Sequence, residues 1–338
     1  MWPFARKRGA NRRMVRQPPP WPFAADPEAY KTAFRDSIRR IYMPNLPEEL
    51  LASEIVQQDI EDHVCNRMIT SLRTLVPWIA PHKVLQGSRI LEIGCGTGSA
   101  SAALAAQGAQ LESLDINPAA LDCARIRLDL LGMDERVRFH HLSADWTAGA
   151  REGHAGDPRF EMFGRRHDVV ILVATLEHMT IDERIDCLTV AWSVLEEGGI
   201  MVTQLTPNRL FPFDWHTSRE MFTQLLPVEL AVRYAPRCKR ADYAHAFSGV
   251  DVNHPSPADI ELLYRWGRGI SYHEFDLAIG LENLRVLDDG RNPLVARPYL
   301  DEIGFAGYVE KNFERFKLDV PRGFFLPSLD LILQKATR

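Results

Sequence analysis

Leu91-Glu92-Ile93-Gly94-Cys95-Gly96-Thr97-Gly98 carries the densest chemical signal in this chain. Glycines at alternate positions let a backbone turn sharply and let a ligand approach the main chain with no Cβ between them. The residues before the loop are apolar and those after it are alanine-rich. The loop therefore joins a strand to the start of a helix, where unpaired backbone N–H groups point outward. About twenty residues on, Asp115 ends a second apolar run, where a carboxylate can accept both hydroxyls of a ribose. Glu92 adds a negative charge suited to an ammonium group. Together these residues describe a site for a ribose-bearing ligand.

The spacing separates two ligand classes. A pyrophosphate cradle reads G-x-G-x-x-G/A, whereas this loop reads G-x-G-x-G, with Ser99 where the third small residue would stand. Glu92, Gly94, Gly96 and Gly98 in this order resemble motif I of class I S-adenosylmethionine-dependent methyltransferases. That resemblance implies an α/β, Rossmann-like, seven-stranded, mostly parallel sheet of order 3-2-1-4-5-7-6, with strand seven antiparallel and the cofactor across the carboxyl ends. The likeness runs on from residue 87 to residue 208. Asp115, followed by Ile116, matches the family's ribose-binding acid. Ala144-Asp145-Trp146 matches the place where an acid meets the adenine amino group beside an apolar ring. Leu176-Glu177-His178 and Thr206-Pro207-Asn208-Arg209 are similar to turns of ubiquinone-biosynthesis-type O-methyltransferases. The resemblance implies S-adenosylmethionine as cofactor, held by Glu92, Gly94, Cys95, Gly96, Gly98, Asp115, Ile116, Asp145 and Trp146. It also implies a small-molecule acceptor methylated at oxygen.

Methyl transfer from a sulfonium is an in-line displacement with an activated leaving group, so much of the rate comes from positioning. A hydroxyl acceptor also benefits from a base, and histidine suits that role near neutral pH. His178 follows the fourth expected strand, and His216 lies in Phe213-Asp214-Trp215-His216; these are the two base candidates. His273, in Ser271-Tyr272-His273-Glu274, is a third imidazole of lower rank. Any of the three could instead be structural. No metal is expected. The adjacent His140 and His141 would point to opposite faces of a strand, and Asp182, Glu183 and Asp186 read as a solvated helix face. Arg233, Arg237, Lys239 and Arg240, interleaved with Tyr234 and Tyr243, read as either an anion grip or a solvated helix face.

The elements that must position these groups alternate from residue 87. Strands are expected at 89–93, 110–114, 137–142, 169–173 and 200–205, with helices at 99–106, 118–131 and 181–195 between them. A glycine-rich loop is expected at 149–164. Upstream, residues 26–86 form a helical segment in which Leu50, Ile55, Val56, Ile60, Val64, Met68, Leu72 and Leu75 recur at helical spacing. The alternation fails over 206–292, which reads as a substrate-binding lid inserted into the core. Residues 293–338 then complete the sheet, with strands at 313–318 and 329–334.

Composition bounds the alternatives. A chain of 338 residues, 46% hydrophobic with a formal net charge of −5, is an ordinary globular protein with no overall bias towards nucleic acid. Residues 1–25 form a basic, proline-rich arm with Arg6, Lys7, Arg8, Arg12, Arg13 and Arg16; it is expected to be disordered, with weak peripheral membrane contact as a second reading. No apolar stretch has the length of a signal peptide's core or a membrane span. The five cysteines are scattered and include no C-x-x-C pair, so a reducing cytoplasm is expected. Two other functions stay open: a nicotinamide-dinucleotide oxidoreductase, or a non-catalytic cofactor-binding partner. The oligomeric state is not legible in the sequence.

Overall fold

The computed structural model describes residues 21–143, 145–146, 164, 166–291, 305–316 and 319–335. Its centre is a seven-stranded sheet of order β3-β2-β1-β4-β5-β7-β6, the order that the resemblance implies. The strands are β1 (Arg89–Ile93), β2 (Gln110–Asp115), β3 (Val137–His141), β4 (His167–Val173), β5 (Leu195–Gln204), β6 (Leu284–Asp288) and β7 (Leu331–Lys335). Strands β3, β2, β1, β4 and β5 run parallel, and β7 is antiparallel to both β5 and β6. Side chains alternate across the sheet, as a two-residue period requires. Ile90, Val169, Ile171, Ile200, Val202 and Ile332 face one core layer. Leu91, Ile93, Val170, Leu172, Met201, Leu331 and Leu333 face the other. Both faces are covered, which is why these strands read as continuous apolar runs.

Two expected elements are corrected. The strand expected at 313–318 lies instead where the chain forms a helix, Phe305–Phe316, residues 317–318 being outside the described residues. Phe305, Val309, Phe313 and Phe316 recur at intervals of three and four, a helical period that a window opening at Phe313 cuts short. The sixth strand is Leu284–Asp288, within the stretch read as lid. Of the arm expected over 1–25, residues 1–20 lie outside the described residues, as does the glycine-rich loop apart from Gly164. Residues 21–25 are ordered against the core instead of disordered, with Phe23 buried and Trp21 Nε1 donating to Ala25 O (2.8 Å).

Before the sheet come α1 (Pro27–Ser37), α2 (Glu48–Leu51), α3 (Glu54–Glu61), α4 (Arg67–Arg73) and α5 (Leu75–Ile79), with π-helical turns at Ile38–Tyr42 and Asp62–Asn66. Asp26 caps α1, accepting from the N–H groups of Glu28 and Ala29, and Pro27 takes the first turn, where its missing N–H costs nothing. Ile60, Val64, Met68, Leu72 and Leu75 of the expected apolar face are buried, but Ile55 is 83% exposed. Within the sheet domain, α6 (Ser99–Ala105), α7 (Pro118–Leu130) and α8 (Ile181–Ser193) are the crossovers. The lid holds α9 (Val228–Tyr234), α10 (Ala241–Ala246), α11 (Pro257–Trp266) and α12 (Tyr272–Ile279). Ala231, Val232, Ala235, Cys238, Tyr243, Phe247 and Leu263 form a separate small core there.

A buried arginine fastens the N-terminal helices to the glycine loop. Arg127 of α7 donates from Nε to Thr97 O (2.7 Å), from Nη1 to the Tyr30 hydroxyl (2.6 Å) and Val64 O (3.2 Å), and from Nη2 to His63 O (2.5 Å). Its guanidinium also lies 4.1 Å from the Phe34 ring centre. Replacing it by an apolar residue strands several buried acceptors at about 1–3 kcal/mol each. Arg127→Met is therefore expected to lose roughly 3 kcal/mol in urea denaturation and to speed hydrogen exchange selectively in residues 27–79. Uniform acceleration over the whole chain would refute the fastening.

Candidate active site

The register of the central strands sets the site. Ile93 pairs with Leu114 on one side and Leu172 on the other, so Gly94, Asp115 and Val173 emerge side by side at the carboxyl edge. There a cavity of about 730 Å³ opens, lined by residues from both core layers, the N-terminal helices and the lid. At Gly94 (φ +75°) a Cβ would lie 2.4 Å from Thr175 Cγ2, so only glycine fits. At Gly96 (φ +52°) a Cβ would meet nothing within 4 Å, and this residue lines the cavity. Its N–H donates to Asp115 Oδ2 at 2.7 Å, while Oδ1 accepts from the Asn117 N–H at 2.8 Å. Each carboxylate oxygen is held by one backbone donor and keeps lone-pair capacity for a ligand. Asn117 caps α7, so capping and ligand binding are split between neighbours.

The expected cofactor residues do not all reach the cavity. Glu92, Gly94, Cys95, Gly96, Asp115, Ile116 and Trp146 line it. Gly98 does not; its φ is +77°, and a Cβ there would fall 3.0 Å from the Ala124 Cβ, which makes it a close-packing point between α6 and α7. Asp145 is exposed and lies outside the lining, its carboxyl held below the usual range by a hydrogen bond from Ser143. Glu92 lines the cavity but spends Oε2 on the Ser101 hydroxyl (2.5 Å) and the Ser113 hydroxyl (3.1 Å). Burial pushes its pKa up to about 7, against the pull of those hydroxyls and with help from the Asp115 charge. Burial also holds Cys95 as a thiol, well above its usual range.

The opposite wall carries His178, His216, Met179, Trp215 and Arg265. The two imidazole centres are 5.5 Å apart. His178 Nδ1 lies 2.9 Å from Arg265 O; a carbonyl only accepts, so Nδ1 carries the proton and Nε2 a lone pair. Burial lowers the His178 pKa, opposed by that backbone bond, and keeps the ring neutral. The Thr217 hydroxyl donates to Gly267 O at 2.5 Å, which leaves its oxygen to accept from His216 Nδ1 at 3.0 Å. His216 Nε2 then faces Glu177 Oε1, 3.7 Å away and fully buried. Ligand atoms of Glu177, His178 and His216 lie within 4.8 Å of one another, the one such grouping found among the described residues. The sequence reading, which expected no metal, did not see this convergence because His216 arrives from the lid. Ala174 (φ +50°) and Leu205 (φ +63°), at the ends of β4 and β5, are left-handed although neither is glycine. Such backbone costs about 1–3 kcal/mol per residue and gathers at functional sites.

Other candidates settle elsewhere. His273 donates to Ser271 Oγ (3.0 Å), which bonds Glu274 (2.5 Å), and it is not in the lining. Arg240 of the basic patch braces the His216 and Thr217 carbonyls at 2.9 and 3.0 Å. Sequence reasoning missed the share of the wall built by Tyr42, Asp62, His63, Asn66 and Arg67. His63 is buried, its pKa pushed down to about 3 by burial and then by the Arg67 and Arg127 charges, and it meets Thr97 Oγ1 at 3.2 Å. No local spacing signals such contacts.

Strand order, antiparallel β7 and a glycine cradle at the end of β1 define the class I methyltransferase type of Rossmann-like fold. In agreement, residues 90–199 match the family model described as a methyltransferase domain, a stretch of about a third of the chain. Among curated relatives, a ubiquinone biosynthesis O-methyltransferase of Aromatoleum aromaticum is 36% identical over 30% of this chain and 38% of its own length. One of Burkholderia ambifaria is 28% identical over 65% of this chain and 82% of its own length. With the first of these, the match thus spans well under half the relative. Solved structures similar in part include the magnesium protoporphyrin IX methyltransferase of Synechocystis with bound S-adenosylhomocysteine, 21% identical over 54% of this chain and 71% of that one, with a TM-score of 0.35.

The raised Glu92 pKa has a signed consequence. A group that binds its proton more tightly when folded stabilises the fold below its unfolded pKa and loses that contribution as pH rises through its folded pKa. From the ordinary value of 4.5 to about 7, this is on the order of 3 kcal/mol. Relative to Glu92→Gln, the wild type should lose stability by that order between pH 4 and pH 8 in urea titrations. A pH-independent difference would contradict a protonated, buried Glu92.

Proposed function

We propose that this protein is an S-adenosylmethionine-dependent methyltransferase that modifies a small-molecule acceptor at oxygen. The observation that carries the reading is the cradle at Gly96, a left-handed glycine whose missing Cβ faces open cavity, with the Asp115 carboxylate fixed 2.7 Å from its N–H. When bound, the cofactor supplies a methyl group already activated on a sulfonium. Asp115 would accept the ribose hydroxyls, Ile116, Leu142 and Trp146 would form an apolar wall for the adenine, and the Asp115 charge would favour the cationic end, with Glu92 bracing the wall behind it. A cavity of about 730 Å³ is within the usual range for sites of drug-sized ligands.

On the acceptor side, His216 takes the hydroxyl proton at Nε2. Thr217 orients the ring from Nδ1, in the manner of a base held by a third group, and the Glu177 carboxylate, 3.7 Å from Nε2, stabilises the imidazolium so formed. His178, neutral and fixed at Nδ1, turns its Nε2 lone pair to the acceptor as a second hydrogen-bond acceptor. Oxygen as the reacting atom is supported by the names of the curated relatives and is compatible with this pair of lone pairs. The five cysteines are all free and suit a reducing compartment, so we assign the protein to the cytoplasm. No described helix is long and apolar enough to cross a membrane.

Calorimetric titration tests the cofactor. S-adenosylmethionine should bind saturably and NADH should not, and Asp115→Ala and Gly96→Val should abolish the binding. Binding of NADH alone would overturn the reading. In a screen of hydroxylated acceptors, His216→Gln should slow methyl transfer by about 10²- to 10⁴-fold while cofactor affinity holds. Unchanged turnover in that variant would remove His216 as the base.

A further inference from the structure

His178 and His216 come from segments with no strand pairing between them, yet their rings are neighbours. A strap of backbone at 265–269 joins them. Arg265 O takes the His178 Nδ1 proton, and Gly267 O takes the Thr217 hydroxyl that in turn holds His216. The Arg268 N–H donates to Glu177 O at 2.8 Å. At Gly267 a Cβ would fall 2.7 Å from the His216 ring, so the strap lies flush against that imidazole.

We infer that Arg184 is the positioning residue that fixes this strap against the Leu176–His178 turn, and thereby sets the relation of the two imidazoles. The inference rests on the reading of His178 and His216 given above. Arg184, on the first turn of α8, is completely buried. Its Nε donates to Leu176 O (2.9 Å) and its Nη2 to Glu177 O (3.2 Å) and Arg268 O (2.5 Å). Its Nη1 reaches Gly269 O (3.2 Å) and Glu274 Oε1 (3.5 Å). A guanidinium has five N–H groups in a fixed fork, and here each has an acceptor, two on the turn and two on the strap. Lysine, with three donors on one nitrogen, cannot span that arrangement.

A role in stability alone explains this poorly. Matching a buried cation mainly with neutral carbonyls is costly, and a whole buried ion network is often replaced by well-packed apolar groups at no loss, even though removing the cation alone, as at Arg127, strands its acceptors. The cost is visible: burial draws the Arg184 pKa down to about 10, with Glu274 opposing. A fork that indexes two backbone segments accounts for keeping a charge there.

The test needs no acceptor. Arg184→Lys and Arg184→Ala are compared with the wild type by nuclear magnetic resonance titration of labelled histidine rings, with S-adenosylhomocysteine affinity measured alongside. Beyond burial, the Arg184 and Arg265 charges themselves lower the His178 pKa, so Arg184→Lys, which keeps the charge, is the deciding variant. There a loosened turn should admit water at His178 and raise its pKa towards the ordinary value of about 6.5. Millimolar guanidinium should restore the wild-type titration in Arg184→Ala. Cofactor affinity should stay within about twofold, as expected for a separate part of the site. Wild-type titration of both rings in folded variants would overturn the inference, as would failure of both variants to fold with or without guanidinium. Failure of the wild type to bind S-adenosylhomocysteine would instead strike the proposed function, leaving the ring titrations to judge Arg184.

Discussion

One hydrogen bond organises the cofactor half of this molecule: the Gly96 amide to the Asp115 carboxylate, 2.7 Å long. It ties the loop leaving β1 to the end of β2, and it forms only if the backbone at Gly96 turns left-handed. The parallel register then brings the turns after β4 and β5 to the same edge. Everything else in the site is arranged around that fixed corner. Thr97, next along the loop, is gripped by Arg127 and His63, so the N-terminal helices take their place from the same loop.

Two fully buried arginines divide the remaining work. Arg127 joins the helices before the sheet to the glycine loop, and Arg184 joins the turn after β4 to the lid. Both use planar donor forks on main-chain carbonyls, so both read backbone position more than side-chain identity. Arg265 adds a third link, pairing with Glu183 at 2.7 Å and with His178 O at 3.0 Å. Glu183 also closes the capping box of α8 with Thr180, which ties the start of that helix to the lid.

The central elements were legible because their signals are local. Strands buried on both faces are short apolar runs, and Asn117-Pro118 announces a helix start. The cradle was legible for the same reason, since Gly94, Gly96 and Asp115 sit at strand ends where chemistry and geometry coincide. Gly98 falls outside the cavity lining, and a glycine required by packing against Ala124 looks, in sequence, like one required by a ligand. Glu177 escaped selection because its importance depends on His216, which lies in a different segment and meets it only in the folded chain. The sixth strand escaped because Leu284–Asp288 pairs through antiparallel β7, outside the strand-helix alternation that revealed the others.

The lid keeps its own small apolar core, centred on Phe247, Tyr243 and Leu263. Substitutions within that cluster are therefore separated from the sheet's two core layers, whereas α12 packs Phe275 and Ile279 into the second of those layers. The fold thus separates what must stay constant from what is free to vary. On the proposed function, a lineage built on this plan can exchange acceptors by drifting around that cluster while its source of methyl groups remains the same.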